Sequence, residues 1–152
     1  MELVRVKQKI HWGIVLCILE LVTIFGCTKE PFYTADDYVG TYSVSVINRT
    51  RIGAETMTDS GSGKFAIYKI SSSRAQVVGY IDTYAEIKGD TIYFEPTSYS
   101  SSSYQMQMSF NPGRLNGKIL TFSTVSSGHY YYNGRSVPCS IETDWTAIKI
   151  DE

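Results

Sequence analysis

From residue 38 onward apolar and polar side chains alternate in short runs, and almost nothing repeats at the spacing of an amphipathic helix. The clearest run is Tyr104-Gln105-Met106-Gln107-Met108-Ser109-Phe110, in which four large apolar side chains take one face of a strand and Gln, Gln and Ser take the other. One face is core and one is wet. Further strands are expected over residues 41–48, 64–70, 75–81, 83–88, 91–95, 118–125, 128–132 and 137–150. Gly89-Asp90 is a tight turn by the same reading, and Asn133-Gly134 is the strongest hairpin signal, because both residues accept the positive φ that a type I′ turn demands. Gly61-Ser62-Gly63 and the run of residues 98–103 read as loops. Pro138 denies its strand one backbone donor and so belongs at an edge or a bulge.

Sequence-local hairpins favour a meander. The expected fold is all-β, an antiparallel up-and-down barrel of about eight or nine strands, with a two-sheet β-sandwich as the alternative. The inward set of the barrel is Tyr42, Val44, Val46, Phe65, Ile67, Tyr104, Met106, Met108, Phe110, Leu120, Phe122 and Trp145. Met106 and Met108 matter most there, because flexible thioethers either line adaptable apolar pockets or fill awkward gaps in a core.

The first 26 residues break this pattern. Arg5, Lys7 and Lys9 form a basic region, residues 10–25 are apolar, and Ile24-Phe25-Gly26-Cys27 resembles the lipobox of bacterial lipoproteins, with small Gly26 ahead of the acceptor thiol. The resemblance implies a signal peptide over residues 1–26, acylation of Cys27, a lipidated tether over residues 27–37 and a β-barrel domain over residues 38–152. The protein would then be lipid-anchored in a bacterial cell envelope, in the outer membrane, with the periplasmic or surface face open. Lys29-Glu30 resembles a surface-export signal of some gut bacteria.

The other readings of this segment are an uncleaved anchor and an ordinary secretory signal. Residues 10–26 supply 17 positions and include His11 and Glu20. A carboxylate at mid-bilayer costs about 2.5–3.5 kcal/mol on insertion scales, and no Ala-x-Ala site serves the secretory alternative.

Loss of residues 1–26 takes away three of the 14 basic residues and two of the 15 acidic ones and leaves a net charge of −2. No cluster of Lys and Arg remains, which excludes a nucleic-acid partner. Cys139 becomes the one thiol outside the acylation site, too isolated for an internal disulfide and expected to be buried and inert. The remaining chain holds a single histidine, His129, and no metal spacing, phosphate loop or nucleophile elbow, so no cofactor, no metal and no enzymatic activity are expected. Glu86 with Glu95 is the one carboxylate pair suited to a glycosidase, since their strands flank one tight turn.

Tyrosine is in excess, with 12 residues, three of them consecutive at Tyr130-Tyr131-Tyr132. Val39-Gly40-Thr41-Tyr42 resembles the Gly-x-Trp opening of lipocalins and other calycins, and Gly89-Asp90-Thr91-Ile92-Tyr93-Phe94 resembles the middle of lipocalin-like lipoproteins of gut bacteria. With the closing strand bearing Trp145, the resemblance spans residues 38–150 and implies a ligand-binding calycin barrel.

The expected function is a non-enzymatic envelope lipoprotein that binds a small apolar molecule or a glycan through Tyr104, Met106, Met108, Tyr130, Tyr132 and Trp145. The alternative is a protein-interaction module, an envelope assembly subunit or an enzyme inhibitor, with a filled core and outward tyrosines. Labelled palmitate fed to the native host is expected to enter the wild-type chain and not the Cys27→Ala variant. Equal labelling of the two would remove the anchor.

Overall fold

A computed structural model describes residues 33–132 and 134–150. One helical turn, α1 (Ala35–Tyr38), precedes ten strands: β1 (Gly40–Ile52), β2 (Glu55–Lys69), β3 (Arg74–Gly79), β4 (Thr83–Lys88), β5 (Thr91–Phe94), β6 (Thr97–Ser100), β7 (Tyr104–Phe110), β8 (Gly113–Asn116), β9 (Ile119–Tyr132) and β10 (Arg135–Ile150). All pairings are antiparallel. The ring β10-β1-β2-β3-β4-β5-β8-β9 closes through the β9–β10 ladder, and β7 and β6 continue the wall beyond β9. The chain is an all-β barrel, as the alternating pattern predicts.

Ten strands reduce to eight lines because two lines are broken by proline. Pro96 separates β5 from β6 and Pro112 separates β7 from β8, each at a place where a ladder would need an N–H that proline lacks. The β5–β8 and β6–β7 ladders share one register, so the two halves run as one hairpin. Against β9 the register slips by one residue between Phe110↔Thr124 and Arg114↔Thr121, which makes the Asn111-Pro112 break a bulge. Every line therefore pairs with its sequence neighbour, and β10 returns to β1.

Several local expectations change. The expected runs 118–125 and 128–132 merge into the single strand β9 (Ile119–Tyr132), because β7 and β10 clasp the intervening Ser126 and Ser127 from both sides. The serine run contributes strand β6, paired Thr97↔Met108 through Ser100↔Gln105, and only its end is a turn. Gly61-Ser62-Gly63 lies inside β2 and pairs with Val46 to Val44 of β1. The turns at Gly89 (φ 61°) and Gly134 (φ 72°) use the left-handed conformation that their glycines allow. Pro138 sits one residue past Cys139, the last β10 partner of β1, and its carbonyl accepts the Gly53 N–H at 3.2 Å. Its missing donor falls where the β1 ladder has ended.

The expected tether is shorter than the sequence suggests. Ala35 and Tyr38 are fully buried, Tyr33 packs against the same core, and the Tyr42 hydroxyl donates to the Tyr38 carbonyl at 2.8 Å. Asp37 accepts the Thr34 N–H at 2.6 Å and the Thr34 hydroxyl at 3.0 Å, which holds the turn and keeps the Asp37 carboxyl below its ordinary pKa. Lys149 reaches the Asp37 carbonyl and Lys69 pairs with Asp36. Residues 33–38 thus plug the barrel end that carries the Gly89 and Gly117 turns. Their acidic, proline-led sequence disguises a packed element as a linker.

Inside the ring lies a chain of aromatic side chains. Tyr42 stacks on Phe65 at 5.3 Å, and Phe122 meets Phe65, Phe94, Phe110 and Trp145 with centroids 4.6–6.4 Å away, parallel to the indole within 11°. Such pairs add about 0.5–1.5 kcal/mol each beyond area burial. Phe122→Ala leaves a hole at the meeting point of four rings and is expected to cost about 3–5 kcal/mol in denaturant unfolding. A loss below about 1 kcal/mol would place Phe122 outside the folding core.

Candidate functional site

The inner faces of β1, β2, β7, β9 and β10 continue past the sealed core. At the boundary the Trp145 indole N–H donates to the Thr124 hydroxyl at 3.0 Å, the Thr143 hydroxyl donates to Asn48 Oδ1 at 2.9 Å, and Asn48 Nδ2 donates to Asp59 at 2.7 Å. These residues occupy facing positions across four strands, so they make a polar belt over the aromatic stack. Among the described residues no buried side-chain nitrogen or oxygen lacks a partner.

Above the belt the inner face is apolar and only half covered. Register places Thr50 beside Ile141, Ile141 beside Ser126 and Ser126 beside Met108. The next row runs Ile52, Cys139, Gly128, Met106, Tyr99, and the next Val137, Tyr130, Tyr104. Met106 is buried between its row neighbours while Met108, Tyr99, Tyr130, Val137 and Ile141 are half-buried. Tyr104 is 37% exposed and meets Tyr99 edge-on at 5.7 Å. Methionine floor and tyrosine rim form one amphipathic surface.

The structure brings together four of the six sequence-selected contact residues: Tyr104, Met106, Met108 and Tyr130. Trp145 is not among them, since it lies below the belt, stacked on Phe122 and covered edge-on by Tyr80 at 5.5 Å. The Tyr80 ring reaches that place because Gly61 and Gly63 carry no side chain, and a Cβ at Gly63 would overlap it. The Tyr132 side chain lies outside the described residues, as does Cys27 with the whole leader.

Alternation also creates an outer face on the same ribbon that the sequence reading missed. Ser98, Ser100, Gln105, Gln107, Ser127 and His129 line a polar recess of about 350 Å³. Its signal in the sequence is the set of polar positions in the Tyr104 run, the wet side of that strand. Elsewhere, Glu86 pairs with Lys88 at 3.0 Å and Glu95 with Arg74 at 2.9 Å, so each carboxylate of the glycosidase pair faces a cation. Arg74 and Lys88 also lie over the exposed Tyr84 and Tyr93 rings, at 5.4 and 5.5 Å. Among the described residues no three His, Cys, Asp or Glu side chains gather to hold a metal ion.

No protein-family model matches the chain, and no curated protein matches it.

Cys139 is half-buried on the inner face, and burial pushes its thiol above the ordinary pKa. The thiolate is the reactive form, so raising the pKa empties it at neutral pH. Alkylation of Cys139 by iodoacetamide at pH 7.5 is expected to run about tenfold or more slower than that of free cysteine, with the rate still climbing above pH 9. A rate equal to free cysteine would show an open, unperturbed thiol.

Proposed function

We propose that this protein is a non-enzymatic, lipid-anchored binding module of the bacterial envelope, with a lipocalin-like barrel as its scaffold. In this reading the ligand is a small apolar molecule or a glycan. It rests on the open inner face above the polar belt, and the packed interior serves as a platform. The observation that carries the reading is the arrangement of Tyr99, Tyr104 and Tyr130 around Met106 and Met108, half-buried on a face continuous with the core. Ring faces and thioethers suit an apolar surface, and tyrosine hydroxyls suit a ligand with hydroxyls at its edge.

The closed eight-line meander agrees with the calycin resemblance at Val39-Gly40-Thr41-Tyr42. Acylation of Cys27 would anchor the chain ahead of the barrel domain. The six residues from Cys27 to Tyr33 reach at most about 20 Å when extended.

Native mass spectrometry of the protein purified from its own envelope tests the reading. A retained small molecule or oligosaccharide is expected in the wild type, and its occupancy is expected to fall about tenfold or more in Tyr104→Ala,Tyr130→Ala, a loss of about 1.4 kcal/mol or more of binding. An empty protein, or equal occupancy in the double variant, would contradict it.

A further inference from the structure

The ring is closed at its plugged end and open at the other, because β3 and β4 are six residues each while β1, β2, β9 and β10 run 13 to 16. The consequence falls on β2. Its residues 65–69 pair with β3, and the Lys64 carbonyl accepts the Tyr80 N–H at 2.9 Å; residues 55–63 pair with β1 alone among the described residues. In an antiparallel strand the N–H and C=O of one residue point to the same side, and the side alternates. The alternation that aims Lys64 and Ile70 at β3 aims the backbone groups of Thr56, Thr58, Ser60 and Ser62 at open space.

Natural sheets guard such edges with charged side chains, lysine above all, with inward-pointing charges, proline or bulges, or with a covering segment. Residues 55–63, Glu-Thr-Met-Thr-Asp-Ser-Gly-Ser-Gly, contain no lysine, arginine or proline, and residues 55–60 are all exposed. We infer that the free edge of β2 is a docking site for an extended peptide segment of another protein, which adds a strand there and fills the wall that β3 and β4 leave short. This inference does not depend on what the tyrosine and methionine rows bind or on the anchor, although Asp59, Met57 and Glu55 continue the belt and the two rows above it onto β2.

Charge selects the partner. Glu55 and Asp59 lie on one face of β2, with Met57 between them, and Arg49 and Arg51 of β1 flank Thr58 and Thr56 on the other face. A strand with basic residues at alternate positions sets them opposite the carboxylates and keeps neutral residues on the arginine side. A second copy of β2 is the poorer occupant, since antiparallel self-pairing brings four carboxylates onto one face of a short seam.

The test uses the acylated full protein in detergent and a blocked peptide, Lys-Thr-Lys-Val-Lys-Thr-Lys-Val-Lys, with the analogue carrying Glu for every Lys as comparison. Hydrogen exchange at the Thr56, Thr58, Ser60 and Ser62 amides is expected to slow on adding the basic peptide and not the acidic one. Thr58→Pro,Ser60→Pro removes two edge donors and leaves the β1 ladder intact, and is expected to weaken binding about tenfold or more. Glu55→Gln,Asp59→Asn keeps every backbone donor and is expected to weaken binding of the basic peptide severalfold and flatten its salt dependence. Unchanged exchange at those amides, equal response to the acidic peptide, or affinity indifferent to both double variants would overturn the inference. So would a dimer of this chain in which the same amides are already protected.

Discussion

Phe122 is the side chain on which the architecture turns. It stands on β9 where the register passes from β8 to β7, and it touches rings from β2, from β5, from β7 and from β10 at once. Phe94 and Phe110, carried by the broken β5/β6 and β7/β8 lines, lie 5.1 Å from each other and both reach it. The contacts that fill the core are therefore the same ones that tie the β2, β5, β7 and β10 walls to β9.

Filling the interior with aromatic rings has a second effect. Rings take up the space at the centre of the barrel, and the parts of the strands that outrun the ring add further surface beyond it. The polar belt of Asp59, Asn48, Thr143 and Thr124 marks that boundary: below it the large inward side chains of β1, β9 and β10 are buried, and above it the same alternation continues without a facing wall. The half-covered methionine and tyrosine face and the unpaired β2 edge both follow from unequal strand lengths. The proposed ligand contacts and the proposed peptide edge are thus two results of one geometric fact.

Most of the fold is legible in the sequence because alternation survives wherever a strand has one buried face. The Tyr104 run and residues 83–88 match their strands end to end. What escaped was strand without the alternation of large side chains: Gly61-Ser62-Gly63 inside β2 reads as a loop because two glycines leave its inner face blank, and residues 98–100 of β6 read as a mobile one. Trp145 was placed on the ligand face because its inward direction was clear and its depth was not. Depth depends on Tyr80 and on the side-chain-free slot at Gly61 and Gly63, a contact between distant segments that no local pattern announces. The plug failed for a similar reason, since Ala35 and Tyr38 are buried by partners far along the chain.

The account stands on the interior being sealed beneath the belt, and the Trp145 indole N–H, bonded to Thr124 at 3.0 Å, reports on that directly. Hydrogen exchange at this one proton, followed by NMR, is predicted to be as slow as the slowest backbone amides of β9 and β10, requiring near-global unfolding. Exchange at the rate of the exposed β2 edge, with the fold intact, would mean that water reaches the indole and that the barrel holds an accessible cavity after all.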